Sequence, residues 1–270
     1  MLECLINGEV CDFVSAGNRG LNYGDGLFDT LVIKNGRPLW WQAHMDRLGV
    51  GCQRLGLEMP PQAMLLREVK TASAGASSAV IKIVLTRQGQ ARGYQFDSNR
   101  ECDRIVSAHV MPPQLEDAVL NGRRARICDL RLAIQPALGG IKHLNRLEQV
   151  LATAEDFDEG VEEGILLDQE DNVISAISAN LFIVMNQRLL TPRLDRTGVR
   201  GVVRGQILAA FPSRCEQRRI QPDLLRDAHE VLICNSVRGI VPITQIDDQE
   251  YAIGSVTREL QAWYQKSMPS

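Results

Sequence analysis

Gly140-Ile141-Lys142-His143-Leu144-Asn145-Arg146-Leu147-Glu148-Gln149-Val150 sets the reading of the whole chain. One lysine stands ahead of a helical pattern in which Leu144, Leu147, Leu151, Ala154 and Phe157 recur on one face. Residues 124–130 read as a strand that reaches this segment through the Gly139-Gly140 loop. Beyond it, residues 164–168, 173–177 and 180–185 read as successive strands, with turns at Asp171-Asn172 and Asn186-Gln187. The pattern then predicts a helix from Gly201 to Pro212, strands over 230–235 and 240–246, and a closing helix over 256–266.

The N-terminal half has the same character. Residues 27–33 are rich in β-favouring side chains, Asn35-Gly36 is a two-residue hairpin signal, and residues 37–40 form the return strand. Trp41, Met45, Leu48, Cys52 and Leu55 alternate steps of four and three, which predicts a helix stopped at Gly56. A second helix is expected over 62–71, and strands over 79–86 and 104–111. Residues 87–100 are polar and contain glycine, as a loop beside a pocket would be. Few periodic apolar positions fall after Pro112-Pro113. The expected organisation is an N-terminal domain over 1–113, a connecting loop over 114–122 and a C-terminal domain over 123–270 that carries Lys142. Strands mixed with a few helices imply an α+β fold, not a parallel doubly wound sheet.

Composition narrows the class of function. The 270 residues are 44% apolar and 23% charged, and the net charge of −3 is spread along the chain. No polybasic run points to nucleic acid or to an anionic membrane. Seven cysteines, an odd number with no CxxC pair, read as reduced thiols. The N-terminus lacks a basic region followed by an apolar run, and no stretch approaches the ~18 apolar residues of a membrane helix. The expectation is a soluble cytoplasmic protein. Its four histidines, His44, His109, His143 and His229, form no ligand-spaced set, so no metal is expected.

Five motifs carry chemistry. Besides the lysine segment there is Arg19-Gly20-Leu21-Asn22-Tyr23-Gly24-Asp25-Gly26-Leu27-Phe28-Asp29-Thr30, whose glycines allow sharp turning and close approach. His44-Met45-Asp46-Arg47-Leu48 places a guanidinium, a forked and permanently charged donor, beside an apolar stripe. Thr197-Gly198-Val199-Arg200-Gly201 precedes a predicted helix, and backbone N–H groups at a helix start bind phosphate. Cys234-Asn235-Ser236 closes a strand.

In order and spacing these motifs resemble, from end to end, the aminodeoxychorismate lyases of the fold-type IV pyridoxal-phosphate enzymes. The resemblance implies a two-domain α+β architecture with pyridoxal 5'-phosphate between the domains, and a homodimer. It implies that Lys142 is joined to the cofactor aldehyde and, once released, moves protons. A free lysine titrates near about 10.4 and is a poor base at neutral pH, a handicap that the covalent link removes. The resemblance further places Arg47, the Val199 and Arg200 amides, Asn235 and Ser236 on the cofactor phosphate, and Thr30 near the reacting atoms. The string Thr86-Arg87-Gln88-Gly89-Gln90-Ala91-Arg92-Gly93-Tyr94 is similar to the family's substrate loop, which makes Arg87, Arg92 and Tyr94 candidates for the substrate carboxylates. The implied reaction turns 4-amino-4-deoxychorismate into 4-aminobenzoate and pyruvate in folate biosynthesis.

One position departs from the pattern. Where the resemblance calls for a glutamate facing the pyridine nitrogen, the string Val173-Ile174-Ser175 offers a serine. A carboxylate keeps that nitrogen protonated; a hydroxyl brings no charge. Ser175 therefore favours elimination over transamination. The alternatives are a D-amino-acid or branched-chain aminotransferase, and a pyridoxal-phosphate-binding paralogue of low activity.

Overall fold

The computed structural model describes residues 2–89, 93–96, 100–113 and 115–268. They divide into one unit made of residues up to Pro112 with Ile141–Asn145, and another made of Pro113–Gly140 and Arg146–Met268. The first contains β1 (Glu3–Ile6), β2 (Glu9–Val10), α1 (Arg19–Tyr23), β3 (Gly26–Lys34), β4 (Arg37–Pro38), α2 (Trp41–Leu55), α3 (Gln62–Ala72), β5 (Ser78–Arg87) and β6 (Cys102–His109). The strands form one antiparallel sheet in the order β2-β1-β6-β5-β3-β4. Asn35 and Gly36, at φ 51° and 72°, make the hairpin turn expected from their identity. Gly56, at φ 66°, caps α2 in the left-handed conformation.

Alternation sorts the faces of this sheet. Leu27, Leu31, Ile33, Ile81, Ile83, Leu85, Val106 and Ala108 are buried on one face, where α2 packs on β3 and α3 on β6. Each large apolar side chain so removed from water contributes about 1.5–3 kcal/mol. The alternate residues, among them Phe28, Thr30, Lys82 and Val84, lie on the other face and are partly or largely exposed. Gly51 brings α2 close to the sheet, since a Cβ there would meet the Leu27 side chain.

The second unit contains α4 (Leu115–Asn121), β7 (Arg123–Leu132), α5 (Leu147–Thr153), β8 (Val161–Asp168), β9 (Val173–Ala176), β10 (Asn180–Met185) and β11 (Arg188–Pro192). It continues with α6 (Val202–Ala210), β12 (Cys215–Arg218), α7 (Pro222–Arg226), β13 (Glu230–Asn235), β14 (Gly239–Ile246), β15 (Gln249–Glu250) and α8 (Ser255–Lys266). Its sheet runs β12-β11-β10-β13-β14-β7-β8-β9, with β15 beside β14. The β11/β12, β14/β7 and β7/β8 pairs are parallel and the others antiparallel, so the fold is mixed α+β.

Two segments differ from the sequence reading. Residues 115–121 are a helix rather than part of a connecting loop, because Ala118 and Val119 pack into the core of the second unit. The helix after Lys142 starts only at Leu147, since Leu144 is drawn into an extended pairing with β3. On α5 Leu147, Val150 and Leu151 are exposed, at 75%, 59% and 60%, and only Ala152 is buried.

Candidate active site

Lys142 belongs to an extended segment that lengthens the first sheet beside β3. The Phe28 N–H donates to the Lys142 carbonyl (2.9 Å), the Leu144 N–H donates to the Gly26 carbonyl (3.1 Å), and Leu27 bridges His143. This pairing sets Lys142 opposite Phe28, so both side chains take the open face. The Lys142 Nζ stands 4.1 Å from the Phe28 ring centroid. Lys82, which no sequence motif singles out, directs its Nζ at the same ring, 5.4 Å from the centroid. Its cross-strand partner is Thr30. The open face thus gathers two lysines, an aromatic ring and a threonine.

The Gly-Asp-Gly motif makes room for that segment. A Cβ on Gly26 would strike the Leu85 carbonyl and crowd Leu144, and one on Gly24 (φ 63°) would strike the Asn145 side chain. Asn145 donates to the Gly24 carbonyl at 3.3 Å.

Arg47 reaches the buried face from α2. Its Nε donates to Asp29 Oδ2 (2.9 Å) and one Nη donates to Asp29 Oδ1 (2.7 Å). The same Oδ1 lies 2.6 Å from His44 Nδ1. Burial alone would raise the Asp29 carboxyl, but Arg47 and His44 outweigh it and hold the group down at about 2.

Arg87, a candidate substrate ligand from its motif, is bonded within the first unit as an internal strut. It is 2% exposed, and its Nε and one Nη hold Asp25 at 2.9 and 3.3 Å. The Leu55 and Gly56 carbonyls take further donors, and the guanidinium stacks 3.9 Å from the Phe96 ring centroid. Arg19 shares Asp25 from the other side, at 2.9 Å. Tyr94 is 88% exposed and meets Tyr23 edge-on. Arg92 lies outside the described residues.

In the second unit the Gly198–Gly201 turn is clamped by Asn180. Its Nδ2 donates to the Val199 carbonyl (2.8 Å) and its Oδ1 accepts the Gly201 N–H (2.9 Å), at the start of α6. The Arg200 N–H is engaged by the Gly140 carbonyl (3.0 Å) and is not offered to an anion, whereas the Val199 N–H has no acceptor among the described residues. A Cβ on Gly198 would touch Ile174, so this turn rests on β9. There Ser175 pairs with Leu166, and the register slips by one residue just beyond it, a bulge at Ile174. Ser175 is half-buried, and its hydroxyl has no partner among the described residues. Asn235 shapes the next turn: its Oδ1 accepts the Val237 and Arg238 N–H groups (3.0 and 2.7 Å), with Ser236 half-buried between. Burial pushes the neighbouring Cys234 thiol up to about 12, and no cluster of His, Cys, Asp and Glu among the described residues could hold a metal.

The family described as amino-transferase class IV matches residues 26–246. The chain belongs to this family. Among curated proteins of the class IV aminotransferase family, aminodeoxychorismate lyase from Vibrio harveyi is 34% identical over 95% of this chain and 97% of its own length. A putative branched-chain-amino-acid aminotransferase from Methanocaldococcus jannaschii is 28% identical over 96% and 94%. The crystal structure of 4-amino-4-deoxychorismate lyase from Pseudomonas aeruginosa superposes with a TM-score of 0.92, at 37% identity over 97% of this chain and 98% of that one. The fold is thus that of the fold-type IV enzymes, and the cofactor of the class IV family is pyridoxal 5'-phosphate. The donor set fits that group. In the first unit the Arg47 edge left over by Asp29 suits a phosphate oxygen and the Lys142 amine suits an aldehyde; in the second unit, taken by itself, the Val199 N–H is open to an anion.

Proposed function

We propose that this chain is an aminodeoxychorismate lyase, which converts 4-amino-4-deoxychorismate into 4-aminobenzoate and pyruvate. The observation that carries the reading is the 37% identity to the Pseudomonas aeruginosa enzyme across nearly the whole of both chains. The aminotransferases that share the fold are less similar to this chain.

Pyridoxal phosphate, when bound, supplies an aldehyde that takes up the substrate amine and a ring that spreads the charge left by proton loss. Lys142 removes the proton from the carbon that bears nitrogen. The enolpyruvyl oxygen then leaves with its bonding electrons, and the six-membered ring becomes aromatic. Lys142, or a water that it positions, returns a proton to the methylene carbon of the leaving group; Thr30, on the same face, assists. A placed acid–base group of this kind contributes roughly 10²–10⁴-fold. With the cofactor bound, Arg47, the Val199 N–H and Ser236 would hold its phosphate, Arg200 and Asn235 would shape the turns that carry these groups, and the Ser175 hydroxyl would be the group offered to the ring nitrogen. Lys82 takes one of the two substrate carboxylates, the role first read into Arg87. It is exposed, lies on the Lys142 face, and forms no salt bridge among the described residues.

The remaining parts of the reading are cellular. The enzyme serves folate biosynthesis in the cytoplasm and works as a homodimer. Exposed Leu147, Val150 and Leu151 on α5 support a second copy as their cover.

The test is a direct assay. Purified protein loaded with pyridoxal phosphate, given 4-amino-4-deoxychorismate, should release 4-aminobenzoate and pyruvate in equal amounts, and Lys142→Ala should lose both this activity and the visible absorption of the bound cofactor. Sustained amine exchange between an amino acid and a keto acid, without 4-aminobenzoate, would move the chain to the aminotransferases. Light scattering showing a monomer would remove the dimer.

A further inference from the structure

We infer that Asp29 is a positioning residue that locks the Arg47 guanidinium so that its end edge is presented to the cofactor phosphate. The inference rests on the assignment of Arg47 to that phosphate. A guanidinium has a side edge, formed by Nε and one Nη, and an end edge, formed by the two Nη groups. Asp29 takes the side edge at 2.9 and 2.7 Å. No other bond to Arg47 is formed among the described residues, which leaves the end edge for an outside oxyanion. The Arg47 side chain keeps 12% of its surface exposed, while Asp29 is fully buried.

The lock is built from three elements of sequence. His44 and Arg47 are three apart on α2, so both face the same point of β3. His44 Nδ1 lies 2.6 Å from Asp29 Oδ1 and fixes the carboxylate plane. Gly51 allows the helix to lie close enough for Arg47 to reach Asp29.

Charge and geometry predict opposite signs for removal of Asp29. Its carboxylate cancels the Arg47 charge, so by electrostatics alone Asp29→Asn should bind a phosphate dianion more tightly. If Asp29 acts by holding the fork, the same change weakens phosphate binding. Affinity of the apoprotein for pyridoxal phosphate and for pyridoxal, which lacks the phosphate, separates the two. The expected result for Asp29→Asn is a loss of roughly tenfold or more for pyridoxal phosphate, with pyridoxal held within about twofold. Unchanged or tighter pyridoxal phosphate binding, or equal weakening of both ligands, overturns the lock.

Should Asp29→Asn fail to fold, the wild-type apoprotein answers by NMR. The Arg47 Nε–H should exchange slowly with water before any cofactor is added; a signal that appears only after loading overturns the inference. A wild type that does not prefer pyridoxal phosphate to pyridoxal overturns it as well. Protein that shows this preference but makes no 4-aminobenzoate loses its substrate assignment and leaves the Asp29 lock standing.

Discussion

Asp25 and Asp29 stand four residues apart, and each holds arginine against the first sheet, to opposite ends. Asp25 lies between Arg19 and Arg87, which are 3% and 2% exposed, and the remaining Arg87 donors go to the Leu55 and Gly56 carbonyls. Four of the five Arg87 N–H donors are thus engaged inside the unit. Asp29 engages only one edge of Arg47 and leaves the other outward. The same pair of residue types thus yields a strut in one place and, in the other, the half-engaged guanidinium that the proposed function assigns to the phosphate. What separates them is the number of backbone carbonyls that surround the guanidinium.

The strongest way to break this contrast is Arg87→Met. The change strips Asp25 of one partner and leaves two half-buried carbonyls short of a donor, for an expected loss of roughly 2–3 kcal/mol in urea unfolding. The KM of the folded enzyme for its substrate should stay within about twofold. Unaltered stability with a raised KM would return Arg87 to the substrate and erase the distinction.

Acid sharpens the other half. The Asp29 carboxyl is lowered from 3.8 to about 2. Its contribution to stability is therefore fully present above pH 3.8 and lost as the pH falls through about 2. The advantage of wild type over Asp29→Asn, measured by urea unfolding, should shrink by on the order of 2 kcal/mol across that window. A constant difference would mean that the carboxylate is not held ionised by Arg47 and His44.

The contrast between Arg87 and Lys82 also shows what the sequence could reveal. Along β5, Ile81, Ile83, Leu85 and Arg87 share one face, and Lys82 and Val84 share the other. Strand periodicity alone marks Arg87 as continuing a buried row in need of an internal acid, and Lys82 as open. The motif string drew attention to Arg87 and away from that count. By contrast, α2 and the 35–36 turn were legible, because each rests on local spacing or a required φ. The lysine segment was legible in identity but not in conformation. Its extended form depends on hydrogen bonds to β3, far away in sequence. Among the described side chains of α4, Ala118 and Val119 meet the core, too few to register as a period. The Asn180 clamp on the Val199 turn spans 19 residues, and no local pattern announces it.

Lys82→Met tests the reassignment. Loss of a cation that faces a substrate carboxylate should raise KM by roughly tenfold and leave kcat within about twofold, with Lys82→Arg close to wild type. An unchanged KM would leave the open face of the sheet without a carboxylate ligand among its described residues.

The smallest expected effect concerns a carboxylate that is missing altogether. Ser175 sits beside a bulge of β9, half-buried, with a hydroxyl that meets no partner among the described residues. A carboxylate there would keep the pyridine nitrogen protonated and strengthen its pull on electrons, whereas serine adds no charge. Elimination that ends in an aromatic ring leaves little charge to be stored, so the chain can work without that acid. Ser175→Glu should then raise kcat only a few-fold, roughly threefold. The same variant should gain proportionately more in amine exchange with a keto acid, where charge must be held longer. Equal gains in both reactions, at full cofactor occupancy, would show that Ser175 does not separate elimination from transamination; no gain in either would show that the ring nitrogen does not limit the rate.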